Sequence, residues 1–192
     1  MSDQTKVLMV CLGNTCRSPM AEAIFINYIT KMNLPSRWRV DSAALRDYHV
    51  NNAPDFRAQT TLKFNGITNY SHLARTITIN DFHNFDWILG MDDFNIRELN
   101  RIKPQDCKAH IELLGKYHPE GETIIRDPFC VGYALRIINY RFTNIRAITL
   151  FHILLRIKTA LDFSKRMTNV REVSKDFWKL ISDFILYKKY KI

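Results

Sequence analysis

Val7-Leu-Met-Val-Cys-Leu-Gly-Asn-Thr-Cys-Arg-Ser-Pro19 runs without a break into Met20-Ala-Glu-Ala-Ile-Phe25. Val7, Leu8, Met9 and Val10 form an apolar run of strand length, and residues 21–29 carry apolar side chains at helical spacing, so the stretch reads strand, loop, helix. The loop opens at Cys11 and reaches Arg17 after five residues. Gly13 stands where backbone must approach a ligand closely, and Pro19 suits the first helical turn. Unpaired N–H groups at a helix start, reinforced by the helix dipole, make a cradle for a dianion. A guanidinium at Arg17 adds two parallel, charge-assisted hydrogen bonds. The same field favours the thiolate form of a cysteine held there, which makes Cys11 a candidate nucleophile towards phosphorus. A lone cysteine ending a core strand would read as packing; the added Gly13, Asn14, Arg17, Ser18 and Pro19 point instead to an oxyanion site.

The stretch from Val10 to Glu22 resembles the signature of the low-molecular-weight protein tyrosine phosphatases. The likeness continues through Trp38-Arg-Val-Asp-Ser-Ala-Ala44, Ser71-His-Leu-Ala-Arg75, Asp86-Trp-Ile-Leu-Gly-Met-Asp92, Ile111-Glu-Leu-Leu-Gly115 and Asp127-Pro-Phe129. It covers about residues 5–129. The resemblance implies a metal-free and cofactor-free hydrolase of phosphotyrosine in proteins and of small aryl phosphates, acting through a phosphocysteine intermediate. It implies Cys11 as nucleophile, Arg17 and the loop of Leu12, Gly13, Asn14, Thr15, Cys16 and Ser18 as the phosphate holder, and Asp127 as general acid. Ser42, His72 and Asp92 are implied to support that loop. Tyr48, His49 and Phe129 are implied to line the pocket rim. Where the family often follows the last aromatic with tyrosine this chain has Cys130, so a switch through phosphorylation of that tyrosine is absent.

Working outward, the helix from Ser18 is expected to run to about Lys31, where Asn33 and Pro35 end it. Residues 38–42 read as a second strand that delivers the Ser42 hydroxyl at its carboxyl end, where ligands sit in open parallel sheets. A loop carrying Tyr48 and His49 follows, then a helix over 54–64 closed by Asn65-Gly66. For His49 an exposed singleton without a role is the competing reading. Lone histidines such as His72 are often merely satisfied surface or core residues, but His72 could equally bond an amide such as Asn14 and hold an unusual backbone angle. Residues 85–90 make a third strand, Asp92 an N-cap for a helix to about Asn100, and residues 111–114 a fourth strand. Strand–helix alternation with these crossovers implies an α/β fold: a four-stranded parallel sheet with helices on both faces and the phosphate-binding loop between the first strand and first helix. Asp127-Pro128 alone is only a turn signal, yet cleavage through a cysteine needs a proton for the departing oxygen, which a carboxyl over the loop can donate.

The length of 192 residues suits one such domain with an appendage. No signal-peptide pattern opens the chain, so a cytoplasmic protein is expected. Four scattered cysteines, Cys11, Cys16, Cys107 and Cys130, form neither a disulfide framework nor a zinc motif. Cys11 and Cys16 lie close enough in one loop for Cys16 to capture an oxidised Cys11 as a disulfide. The net charge of +9 is uneven: residues 1–130 balance 15 basic against 15 acidic, and residues 131–192 hold 13 basic against 4 acidic. A neutral domain followed by a basic tail argues against a nucleic-acid partner for the domain.

After Phe129 the composition shifts. All six prolines lie behind, and nine isoleucines crowd into residues 131–192. The chain therefore divides into a phosphatase-like domain over 1–129 and a divergent basic segment over 130–192, which looks like an alternative C-terminus. Apolar stripes over 145–161 and 173–185 suggest two helices, neither uncharged for long enough to span a membrane. Contact of this tail with an anionic membrane surface is open in principle. Weak docking and weak self-association are the plainer expectation. Two other functions compete with the leading one. Arsenate reductases of this fold resemble the loop but relay oxidation through two further cysteines, and this chain has none between Cys16 and Cys107. The other is a phosphate-binding or regulatory isoform whose altered end has impaired turnover.

Overall fold

The computed structural model of the chain describes residues 4–117 and 123–127. Four parallel strands, β1 (Thr5–Cys11), β2 (Trp38–Ala44), β3 (Trp87–Gly90) and β4 (His110–Leu113), form one sheet in the order β2-β1-β3-β4. Residues Val7 to Val10 of β1 are fully buried, as a strand covered on both faces must be. Their side chains alternate between the faces. Leu8 and Val10 join Ala43, Ile88, Phe82, Phe85 and Leu99 in one cluster. Val7 and Met9 turn to the opposite face, where α1 (Arg17–Lys31) packs on β1 and β2 through a side that buries Met20, Ala21, Phe25 and Ile29. Helix α4 (Asp93–Ile102) packs on β3 and β4.

The α/β class, the parallel sheet and the loop between β1 and α1 agree with the sequence, and the element ends move for local reasons. Strand β2 runs two residues past Ser42 because Ala44 continues its pairing with Cys11. Helix α2 (Phe56–Phe64) begins after Asp55, whose carboxylate accepts from the Arg57 N–H, and it closes as expected with Gly66 at φ 79°. Helix α4 continues to Ile102, with only Lys103 between it and Pro104.

One helix was not anticipated: α3 (Ile79–Asn84), which follows Thr78. The Asp81 carboxylate accepts from the Thr78 N–H at 2.8 Å and from its hydroxyl at 3.0 Å. The signal was a Thr-x-x-Asp start. Phe85 ends α3, donating its N–H to the Asp81 carbonyl, and this delays β3 to Trp87. Among the described residues no helix is long and apolar enough to cross a membrane. Phe129, the helices expected over 145–161 and 173–185, and the weak docking of the tail lie outside the described residues.

Candidate active site

The loop between β1 and α1 is concave because its carbonyls are drawn outward. Those of Cys11, Leu12 and Thr15 accept from the N–H groups of Leu45 (2.9 Å), Arg46 (3.0 Å) and Asp55 (2.7 Å). A planar trans peptide sends its N–H opposite to its C=O, so the amides of Leu12, Gly13 and Cys16 turn inward. The Cys16 carbonyl starts α1 by accepting from Met20, which leaves the helix dipole aimed into the same hollow. A cavity of about 150 Å³ results, lined by Cys11, Leu12, Gly13, Thr15, Cys16, Arg17, Tyr48, His49 and Asp127.

Two donors face the Cys11 Sγ: the Asn14 N–H at 3.3 Å and the Ser18 Oγ at 3.0 Å. Asn14 reaches this pose with φ at 54°, a left-handed conformation that asparagine tolerates better than most residues. Its fully buried side-chain amide makes all four of its hydrogen bonds. Nδ2 donates to Ser18 Oγ (2.9 Å) and Ser42 Oγ (2.8 Å), and Oδ1 accepts from the Arg75 N–H (3.0 Å) and bonds His72 Nε2 (2.7 Å). Because a backbone N–H can only donate, the amide orientation is fixed, and His72 Nε2 must carry a proton. Ser18, accepting from Asn14, has its own hydrogen free for the sulfur.

Arg17 is buried, and both of its terminal nitrogens have acidic or carbonyl partners. Its Nη1 donates to Asp92 and to the Ile125 carbonyl (3.1 Å), and its Nη2 pairs with Asp127 at 2.7 Å. The other Asp92 oxygen caps α4 by accepting from Asn95 N–H at 2.8 Å, so one carboxylate serves both the Arg17 contact and the helix start. The Ile125 N–H donates to the Met91 carbonyl (2.8 Å), which ties the segment bearing Asp127 to the end of β3. Tyr48 stands at the cavity rim, 68% exposed. His49 is also exposed but lies against the loop: a Cβ on Gly13 would sit 2.9 Å from its Cδ2, so a side chain there would push the imidazole aside. Of the expected site residues, the structure brings together all but Phe129, which lies outside the described residues.

Sequence reasoning missed what stands behind the loop. Ser42 donates to the buried Glu22 at 2.6 Å, and the Tyr70 hydroxyl donates to the same Glu22 oxygen at 2.8 Å. The available signal was helical spacing: Ser18 and Glu22 are one turn apart on α1 and share a face. His72 Nδ1 lies 3.4 Å from Glu22. Ligand-capable atoms of Glu22, Asp41 and His72 fall within 4.8 Å of one another. Their hydrogen bonds to Ser42, Tyr70, Asn14 and Arg75 account for that convergence.

Burial pushes the Cys16 thiol up to about 12, with the neighbouring Cys11 adding to the effect. Burial also pushes the Glu22 carboxyl up from 4.5 to about 7, against the pull of its bonds from Ser42 and Tyr70, and holds His72 below its usual value. The folded protein therefore binds more protons at Glu22 than the unfolded chain between about pH 4.5 and 7. The stability associated with Glu22 is full below that window and is lost as pH rises through it, to a limit of about 3 kcal/mol. His72 acts in the opposite sense, its contribution being lost as pH falls. Glu22→Gln is expected to flatten the decline between pH 5 and 8 in urea midpoints; parallel profiles for parent and variant would show that Glu22 does not titrate in this range.

The sequence model of a family described as low molecular weight phosphotyrosine protein phosphatase matches residues 6–148. The match extends past position 129, where the motifs quoted from the sequence end. A human protein of that name is 54% identical over 125 residues, covering 64% of this chain and 78% of its own length. The chicken (Gallus gallus) protein of the same name is 52% identical with the same coverage. Among solved structures, a protein tyrosine phosphatase from Entamoeba histolytica with Hepes in its active site superposes with a TM-score of 0.74 at 29% identity, covering 82% of this chain and 99% of that one. The arginine phosphatase of Drosophila superposes with a TM-score of 0.71 at 39% identity, covering 80% and 98%.

Proposed function

The chain belongs to the low molecular weight phosphotyrosine protein phosphatase family, and from that premise we propose that it hydrolyses phosphotyrosine in proteins, and small aryl phosphates, through a phosphocysteine intermediate. The Cys11 thiolate attacks phosphorus in line, while Arg17 and the inward amides of the loop hold the equatorial oxygens. The bond to the tyrosine oxygen breaks, and Asp127 gives that oxygen its proton. Water then attacks the phosphocysteine, passing a proton back to the Asp127 carboxylate, and inorganic phosphate leaves with the Cys11 thiolate restored. Ser18 donates to that thiolate in both steps.

The observation that carries this reading is the Cys11 sulfur facing two donors, Asn14 N–H and Ser18 Oγ, on a cavity shared with Arg17 and Asp127. Such surroundings stabilise an anion. Tyr48 at the rim favours a flat aromatic ester over the shorter phosphoserine.

One observation favours a second substrate. The Drosophila relative is named an arginine phosphatase. A phosphorylated guanidinium offers N–H donors where a phenol ester offers a ring, and Thr15 and Asp127, whose side chains carry acceptor oxygens, line this cavity. Comparing kcat/KM for peptides bearing phosphotyrosine, phosphoarginine or phosphoserine decides between them. Preference for phosphotyrosine supports the main reading, preference for phosphoarginine replaces it, and turnover of none overturns both.

Cys16 is the candidate protector of an oxidised Cys11. A thiol held near pH 12 is a slow attacker at neutral pH, because little of it is thiolate. Recovery with dithiothreitol after mild peroxide is therefore expected to be poorer for Cys16→Ser than for the parent, with the parent's advantage widening as pH rises. Equal recovery at every pH would remove Cys16 from this role.

A further inference from the structure

We propose that Arg75 is a positioning residue for the phosphate-binding loop, acting through Asn14. The inference rests on the phosphatase reading for its turnover measurements but not for its binding measurements. Asn14 must stay left-handed for its N–H to meet the Cys11 sulfur, and its side-chain amide is what holds it there. Two of that amide's four bonds lead to Arg75. The first is direct, from the Arg75 N–H to Asn14 Oδ1 at 3.0 Å.

The second runs through Ser42. The Arg75 guanidinium grips Asp41 on β2 through Nε (3.2 Å) and Nη2 (2.8 Å), and the other oxygen of Asp41 accepts from the Ser42 N–H at 2.7 Å. Ser42 Oγ in turn accepts from Asn14 Nδ2. On its far side the same guanidinium holds Asp81 of α3 through Nη1 (2.9 Å) and Nη2 (3.2 Å).

The backbone of Arg75 belongs to no regular strand. It is joined to the end of β2 by the Ala44 N–H on the Arg75 carbonyl (2.7 Å), with the Ile77 N–H on the Ala44 carbonyl (2.9 Å). Residues 73–77 therefore keep their register on β2 partly through a side-chain clamp between two carboxylates. A planar five-donor fork can span both acids, whereas an ammonium cannot reproduce that geometry. The Arg75 side chain is about one-third exposed, at 32%, so its replacement opens no void in the core.

The test is a comparison of parent, Arg75→Gln and Arg75→Lys, each alone and in an Asn14→Ala background. Inhibition by inorganic phosphate, kcat/KM on an aryl phosphate and the thermal midpoint are measured well below unfolding. Arg75→Gln is expected to lower kcat/KM by about 10-fold to 100-fold and to weaken phosphate inhibition at least 3-fold, with Arg75→Lys intermediate. In the Asn14→Ala background it should cost less than 2-fold more, because its route is already cut.

A lower midpoint with unchanged kcat/KM and phosphate inhibition would make Arg75 merely structural and overturn the proposal, as would a full, multiplicative loss in the Asn14→Ala background. Asp81→Asn, which weakens the hold of α3 on the guanidinium together with the Thr78–Asp81 start of that helix, gives the same comparison if Arg75→Gln does not fold. It is expected to weaken phosphate inhibition, and no change would overturn the proposal. Phosphate affinity measured by calorimetry separates the two failures. A parent that neither binds phosphate nor turns over aryl phosphate removes the phosphatase reading, whereas a parent that does both while every variant matches it removes only the role of Arg75.

Discussion

Cys11→Ser will leave a folded protein that still binds inorganic phosphate but turns over aryl phosphates about 10⁵-fold more slowly or worse, the scale on which loss of a nucleophile acts in covalent hydrolases. The reason lies in what surrounds the sulfur. Asn14 N–H and Ser18 Oγ both donate towards it, an arrangement that stabilises an existing anion and cannot take a proton away. A thiol becomes a nucleophile there by ionising; a serine hydroxyl ionises far less readily and has no base beside it among those donors. The inward amides of residues 12, 13 and 16 and the Arg17 guanidinium are untouched, so phosphate binding should remain within a few fold. Steady-state turnover and calorimetric phosphate titration of the same preparation check both halves. Residual turnover within 100-fold of the parent would exclude Cys11 as the attacking group.

Asp127→Ala carries the next largest expected effect, about 10²-fold to 10⁴-fold on phenyl phosphate. The loss should shrink steadily as the leaving phenol becomes more acidic, because a good leaving group departs without a proton. The ion pair with Arg17 adds a second expectation. The Asp127 carboxylate stands 2.7 Å from Arg17 Nη2, so removing it takes a competing anion from the guanidinium that is to hold phosphate. The variant should bind phosphate at least as tightly as the parent while kcat falls. Equal slowing across the leaving-group series, or weaker phosphate binding with kcat preserved, would make Asp127 an anchor and not the acid.

Much of this was legible in residues 7–22 alone. An apolar strand, a loop with cysteine, glycine and arginine at fixed separations, and a helix with Pro19 in its first turn can close in few ways, because the peptide amides and the helix dipole act over only a few residues. The parallel sheet followed from the alternation of strands and helices, which chain length and right-handed crossovers constrain strongly. Roles that depend on local geometry, such as Asp92 capping α4 and Gly66 closing α2, were equally visible in their residue types.

Contacts between distant segments were a different matter. Nothing in the residue type of Glu22 tells that Ser42, Tyr70 and His72 from two other segments meet it in a buried cluster, or that its carboxyl is consequently pushed up to about 7. Arg75 reads as an ordinary surface cation until β2 and α3 bring Asp41 and Asp81 to either side of it. Helix α3 itself was announced by Thr78 and Asp81 but is too short for periodicity to reveal. The sequence by itself determined the strand, the loop and the helix, and placed Cys11, Gly13 and Arg17 together on that loop. Only the tertiary structure decided which buried polar groups satisfy one another, since each such group must find its partner wherever packing places one, and that choice sets the pose of Asn14 and hence of the sulfur's donors.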